Sequence, residues 1–249
     1  MIELMNISKT FNAGKANEVK ALQKLSLNIE EGEFVVIVGA NGSGKTTLLN
    51  LMAGTVIPDT GSITIAGNDA TKLAEYGRSK WIARIFQNPL LGTAADLSIV
   101  DNFRLAALRT KSKGLTIGKN EAFKKQVQEK IATLGMGLEN KIEQPIGTLS
   151  GGQRQALTLL MSVMDECKIL LLDEPTAALD PRSAETVMRT AEALIKEYKL
   201  TAILVTHNLK DAAQYGSRII QMGEGEVLKN ISAKEKAKLK QAELYEWFG

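Results

Sequence analysis

Cysteine is almost missing from this chain. Cys167 is the only one in 249 residues, which excludes an internal disulfide framework and fits a reducing compartment. Standing just before an apolar run, it reads as a packing residue. Histidine is equally scarce, with His207 alone, and no Cys/His spacing of the zinc type occurs. No stretch approaches the roughly 18 consecutive apolar residues of a membrane span. The opening Met1-Ile2-Glu3-Leu4-Met5-Asn6 lacks the charged-then-apolar form of a signal peptide, so membrane contact is expected only through a partner chain. A net charge of +3, with no basic patch interleaved with aromatics, argues against nucleic acid as a partner. Internal repeats and low-complexity tracts are also lacking.

What is present begins with enough apolar residue, 44%, against 24% charged, to bury one sizeable core with room for a satellite subdomain. Gly39-Ala40-Asn41-Gly42-Ser43-Gly44-Lys45-Thr46 fits GxxxxGK[ST], between the strand-like Phe34-Val35-Val36-Ile37-Val38 and the helix-like Thr47-Leu48-Leu49-Asn50-Leu51-Met52. Glycines let backbone amides converge, and the helix behind them points its positive end at an anion. A polyphosphate is the natural guest, with Lys45 reaching the β- and γ-phosphates and the Thr46 hydroxyl holding Mg²⁺.

Ile169-Leu170-Leu171-Leu172-Asp173-Glu174-Pro175 reads as a strand buried on both faces that ends in two carboxylates. Alone, these are more commonly solvated. Beside a phosphate loop, Asp173 is placed to hold a Mg²⁺ shell and Glu174 to polarise a water for in-line attack.

Between these motifs stands Leu149-Ser150-Gly151-Gly152-Gln153, a pentapeptide that chance supplies in fewer than roughly one in a thousand chains of this size. Phosphate loop, pentapeptide and Asp173-Glu174 together resemble the ATPase subunit of an ABC transporter. The resemblance covers nearly the whole chain. It implies an α/β fold, a P-loop NTPase (RecA-like) core with an antiparallel β subdomain and an inserted α-helical subdomain. It also implies ATP and Mg²⁺ as ligands, with Asn41, Gly42, Ser43, Gly44, Lys45, Thr46 and Thr47 on the nucleotide.

Smaller motifs follow residue by residue. Phe11 resembles the aromatic that stacks on adenine, and Val19 the apolar residue lining the same base. By itself Phe11 is equally well a core aromatic. Gln87 resembles the glutamine that completes the Mg²⁺ and water shell and signals to the membrane partner. Asp180 resembles the aspartate that crosses a dimer interface and is also a good helix N-cap before Pro181. His207, following Thr201-Ala202-Ile203-Leu204-Val205-Thr206, resembles the switch histidine at the γ-phosphate, an assignment that depends wholly on its neighbours. Departures exist: Ala156 and Met161 stand where many members carry arginine, and Ala178 where serine is common. None touches a phosphate or metal ligand, so activity is expected to survive.

The expected organisation is one ABC ATPase domain over residues 1–249. Residues 1–86 and 160–230 form the nucleotide-binding core and β subdomain, 87–159 the helical subdomain, and 231–249 a C-terminal helix. β-like runs at Leu25-Ser26-Leu27-Asn28-Ile29 and Ser62-Ile63-Thr64-Ile65 belong to the β subdomain. Val100, Phe103 and Ala107 mark one helix face behind a Ser98/Asp101 cap, and Phe123, Val127, Ile131 and Leu134 a second, starting near Asn120. A capping box at Ser232 and Glu235 opens a basic helix running to Leu244-Tyr245-Glu246-Trp247-Phe248. The chain stops too early for the large regulatory domain that some sugar importers append.

Leu149 to Gln153 starts a helix, so its amides and the Ser150 hydroxyl make a second anion site. By resemblance, two chains meet head to tail, each ATP held by one chain's Lys45 and the other's Ser150 and Gly152, with Gly151 and Gln153 in the same segment and Asp180 alongside. Catalysis then falls to Glu174, His207, Lys45 and Gln87, with Thr46, Gln87 and Asp173 around the metal. The resemblance points to a bacterial importer subunit, peripheral on the cytoplasmic face of the membrane. Its partners are a second ATPase chain, a transmembrane permease contacting Asn88 to Leu97 and, indirectly, an extracytoplasmic solute-binding protein for an amino-acid-like solute. The alternatives are an ATPase of lipoprotein extraction or envelope force transmission and, from another class, a soluble ABC protein of DNA repair or translation.

Overall fold

The computed structural model describes residues 1–110, 120–239 and 243. Its contacts divide the chain into two compact units, Met1–Ile82 with Leu200–Gly249, and Ala83–Lys199. None of the helices among the described residues is long and apolar enough to cross a membrane.

In the first unit, alternation builds a half-buried sheet. Ile2, Leu4 and Ile7 point one face of β1 (Ile2–Phe11) into the core, and Leu22, Leu25, Leu27 and Ile29 do the same for β2 (Val19–Ile29). The strands pair antiparallel with Ile2 opposite Ile29 and Leu4 opposite Leu27. β3 (Phe34–Val38) lacks alternation, and Val35 to Val38 have no exposure at all. It leads through the glycine-rich loop into α1 (Lys45–Ala53), after which come β4 (Thr60–Ile65), β5 (Asn68–Asp69) and α2 (Glu75–Arg78). The first sheet has the order β2-β1-β4-β5. A Cβ on Gly61, at φ 90°, would stand 2.4 Å from the Met5 carbonyl, so only glycine lets β4 approach the bulge in β1.

β6 (Ile82–Ile85) carries the chain into the second unit, which contains α3 (Ile99–Ala106), α4 (Glu121–Ala132), α5 (Gly151–Ser162), β7 (Ile169–Asp173) and α6 (Pro181–Glu197). Every residue of β7 is buried, and β7 neighbours β6. The anticipated face of α3 is buried at Val100, Phe103 and Ala107, behind a Ser98 side chain that accepts from the Asp101 amide. On α4, behind the Asn120 cap, Val127 and Ile131 are buried. Phe123 and Leu134 are only half-buried, Phe123 lying under the Arg104 guanidinium at 5.6 Å. The first unit then resumes with β8 (Thr201–Val205), α7 (Leu209–Gln214), β9 (Arg218–Gly223), β10 (Glu226–Ile231) and α8 (Ala233–Lys236). Its strands run β10-β9-β3-β8, with β3 parallel to both neighbours and Val36 opposite Leu204 and Ile219. Parallel pairing on both sides explains why β3 reads as an unbroken apolar run, as β8 nearly does, whereas β10 pairs antiparallel with β9 and is largely exposed.

The boundaries drawn from motifs, at 86/87 and 159/160, follow the sequence order of functional segments, whereas packing groups residues 160–199 with 83–159. The α5–α6 contact supplies the reason, since the two helices close on one another at Gly152 and Ser183. The Ser232/Glu235 capping box is present and opens α8. Leu244 to Phe248, expected to end this helix, lie outside the described residues.

Candidate functional site

The two units each carry part of the predicted site. In the first, α1 begins at Gly44 with no side-chain cap. The contrast with the helices from α3 onward is complete, for Ser98, Asn120, Ser150, Asp180, Asn208 and Ser232 each accept from an amide of the helix they start. The opening amides of α1 are therefore left for an anion. Lys45, only 5% exposed, donates to the carbonyls of Gly39 at 2.8 Å and Ala40 at 2.9 Å, folding back across its own loop. Ser43 Oγ is buried and has no hydrogen-bond partner among the described residues, a deficit that a phosphate oxygen would satisfy. A Cβ on Gly44, at φ 99°, would lie 2.6 Å from the Ala21 carbonyl, so the loop is pressed against β2. Asn41, Gly42 and Thr46 are exposed, and Thr47 is half-buried.

The same unit brings Phe11 and Val19 together as direct cross-strand partners at one end of β1 and β2. Phe11 is half-buried with Lys9 Nζ at 5.6 Å from its ring, and Val19 is 54% exposed, so a flat apolar step faces solvent there. His207 is exposed just past β8. Its neighbours are fixed: Thr206 Oγ1 accepts from the Asn208 amide at 2.9 Å, and Asn208 in turn caps α7.

In the second unit Asp173 ends β7 at 7% exposure, and Glu174 follows in the left-handed region at φ 45°. A non-glycine residue held there stores roughly 1 kcal/mol or more of backbone strain, and it turns the Glu174 side chain away from the line of the strand. Gln87 Nε2 donates to Glu174 Oε2 at 3.4 Å, so the predicted water-polarising carboxylate and the predicted signalling glutamine already touch. Asp173 Oδ2 accepts from Arg84 Nη2 at 2.7 Å. Reading the sequence passed over Arg84. The signal was available, because a lone charge inside Ile82-Ala83-Arg84-Ile85-Phe86 must find a partner if that strand is buried.

The pentapeptide stands where expected, at the start of α5. Ser150 Oγ accepts from the Gln153 amide at 3.3 Å while Gln153 Oε1 accepts from the Ser150 amide at 3.1 Å, a complete capping box. Because Oγ acts there as an acceptor, its own hydrogen stays available to an anion. Gly151 is exposed, whereas Gly152 is buried with the Cβ position taken by Ser183. Behind the helix start, Arg154 donates to the carbonyls of Gly147 at 2.8 Å and Leu149 at 3.0 Å and locks the approach. Asp180 caps α6, with the Arg182 and Ser183 amides both at 3.1 Å from Oδ1, and the Ser183 contacts hold its carboxyl below the usual range.

No group of three His, Cys, Asp or Glu side chains able to hold a metal occurs among the described residues. Mg²⁺ prefers hard oxygens and takes one or two from protein with the rest from water and nucleotide phosphates. The hydroxyl of Thr46, the amide oxygen of Gln87 and the carboxylate of Asp173 are donors of that kind.

The chain matches the family described as ABC transporter over residues 22–177. It is 39% identical over 249 residues to a tyrosine transport ATP-binding protein of Clostridioides difficile, covering 100% of this chain and 98% of that one. With a sulfate/thiosulfate import ATP-binding protein of Pseudomonas aeruginosa it shares 36% identity over 225 residues, 90% of this chain but only 64% of that relative. The dimeric ATP-binding cassette MJ0796, solved in a post-hydrolysis state with ADP and Pi, superposes with a TM-score of 0.80 at 29% identity, covering 94% of this chain and 99% of that one. Family, fold and an uncapped phosphate-loop helix agree: this chain belongs to the ABC transporter family as an ATP-binding subunit that hydrolyses ATP, with Mg²⁺ as the partner ion of its nucleotide.

Proposed function

We propose that this ATPase drives import of an amino-acid-like solute, working as a head-to-tail pair on the cytoplasmic face of a bacterial membrane beneath a separate permease. The observation that carries this reading is the likeness, over its full length, to a protein named for tyrosine transport. In it, Lys45 and the loop amides hold the β- and γ-phosphates, Phe11 and Val19 receive the base, and Ser150 to Gln153 serve the nucleotide of the opposite chain. Thr46, Gln87 and Asp173 hold Mg²⁺, which when bound neutralises charge on the phosphates. Glu174 accepts the proton of the attacking water as the bond from the γ-phosphorus to the bridging oxygen breaks, and His207 steadies the γ-phosphate. Binding favours the closed pair because the γ-phosphate engages both chains, and hydrolysis removes that preference. The helical segment 87–159 carries the surface offered to the permease, with Leu90, Leu91 and Leu97 exposed on Asn88 to Leu97. An extracytoplasmic binding protein completes the system.

Glu174→Gln tests the chemistry. Turnover is expected to fall by about 10²–10⁴-fold while ATP binding persists and an ATP-bound dimer accumulates on size exclusion. Near-normal turnover removes Glu174 from the role of base. Copurification from native membranes tests the coupling: a multi-span permease whose complex is stimulated by an aromatic amino acid and its binding protein is the expected result. A four-span permease with a large extracytoplasmic domain points instead to lipoprotein extraction.

A further inference from the structure

Arg84 and Asp173 form an ion pair at 2.7 Å with side chains only 9% and 10% exposed. Both belong to the second unit, on the neighbouring strands β6 and β7. The guanidinium is also stacked 4.8 Å from the centre of the Phe86 ring, and the Phe86 carbonyl is itself held by Gln155 Nε2 at 2.9 Å. Arg84 is thus mounted on a fixed strand and a fixed ring, with little freedom to withdraw. Its bond engages one carboxylate oxygen, Oδ2, rather than gripping both.

From this geometry we infer that Arg84 is a positioning residue for ATP hydrolysis that acts through Asp173: it fixes the carboxylate with Oδ1 alone presented to the metal, and its charge weakens the hold on that metal. The inference rests on the reading of Asp173 as a metal residue. A divalent cation approaching Oδ1 meets a carboxylate whose charge is already balanced by a guanidinium that water barely screens. The nucleotide phosphates would then supply most of the attraction for a bound divalent cation, with Asp173 adding little. Gln87, a second proposed metal contact, follows three residues behind Arg84, just past the end of β6.

The test is equilibrium binding of Mn²⁺, followed by the electron paramagnetic resonance of the free ion, to full-length protein saturated with a non-hydrolysable ATP analogue. Arg84→Gln keeps a donor to Asp173 but loses the charge, and is expected to tighten Mn²⁺ by roughly 10-fold. Arg84→Lys keeps the charge and is expected to stay within about two-fold of the unaltered protein. Binding by Arg84→Gln that is equal or weaker overturns the inference, as does tightening by Arg84→Lys to the same degree. Arg84→Met, which fills the space over Phe86, repeats the neutral arm if the glutamine variant fails to fold. Asp173→Asn separates the two readings. Unchanged Mn²⁺ affinity there removes Asp173 from the metal, whereas weakened affinity with no effect of neutralising Arg84 leaves Asp173 in place and removes Arg84 alone.

Discussion

Arg78 shows what a single side chain does for the phosphate loop from behind. It has no exposure, and its guanidinium donates to the carbonyls of Leu51 at 2.6 Å and Met52 at 3.0 Å, the last turn of α1, and to those of Ala70 at 2.6 Å and Leu73 at 2.8 Å. Burial pulls its pKa down to about 10, with the Asp69 carboxylate working the other way. Gly54 makes room, since a Cβ there would stand 2.7 Å from Arg78 Nε. Arg78→Met is expected to destabilise the protein by roughly 3–5 kcal/mol, because several buried carbonyls lose their donor at once. Urea unfolding monitored by circular dichroism measures the loss; a shift under about 1 kcal/mol would show that water replaces the guanidinium. At this scale the legibility of the sequence was uneven. Lys45, Thr46 and Ser150 are found by local spacing, because the loop and helix that orient them are made by adjacent residues. Arg84 acts on Asp173 far along the chain, and Arg78 gathers carbonyls from α1 as well as from the turn just before it, which no local motif announces.

Among elements, the stretch from Ala94 to Val100, a turn that runs into the start of α3, shows how two functional segments are tied. Backbone bonds join Gly147 to Ala95 at 2.9 Å, Ile146 to Leu97 at 3.0 Å, Ile99 to Gln144 at 3.0 Å and Val100 to Ile142 at 2.9 Å. Asn102, buried at 4% exposure, staples the same stretch through both the amide and the carbonyl of Ala94. The segment proposed to meet the permease is therefore zipped to the chain that enters the pentapeptide. A second tie joins the turn after α3 to the turn after α5, where Asp165 Oδ2 accepts from the Thr110 amide at 2.6 Å and hydroxyl at 2.7 Å. Burial opposes ionisation of Asp165, but bonds from Thr110 and the Glu166 amide, with Arg109 nearby, outweigh it and hold the carboxyl below its ordinary value. A carboxyl so lowered contributes stability that is complete above the unfolded value and disappears as pH falls through the folded one. Stability from this tie is expected to be flat from neutral pH down to the ordinary carboxylate range and to fall below it. In Asp165→Asn the acid limb of the unfolding midpoint against pH should be shallower, and an identical limb would discount the tie. Element types were legible from periodicity and caps, whereas strand ends were not. β1 and β2 run beyond their apolar alternation because cross-strand pairing continues past Lys9, Thr10 and Lys20 to Phe11 and Val19.

For the whole molecule, the proposed pairing makes catalysis depend on encounter. In that proposed pair one chain would supply Lys45 to a nucleotide and the other Ser150, so a lone chain would bind ATP without a complete shell around its γ-phosphate. Turnover per chain is expected to rise with protein concentration and to fade on dilution, while ATP binding per chain stays constant. Steady-state assays over about a hundred-fold range of protein, beside equilibrium binding of a fluorescent nucleotide, measure both. Constant turnover across that range would mean that each chain completes its own site. The fold at this scale was legible because the motifs lie in the order that one architecture requires. How the chain divides by packing was not, since that depends on contacts such as α5 against α6 that no motif marks.

Gly152 carries one more consequence. The place of its absent side chain is filled by Ser183, with Cβ and Oγ at 2.5 and 2.6 Å from where a Cβ would stand. Two residues before this contact is Ser150, and three residues before its other half is Asp180. Their loops hang from a single weld, so neither travels without the other. A facing chain that meets this surface must satisfy the hydroxyl and the carboxylate in the same instant, as a lock does that turns only when two keys are inserted together.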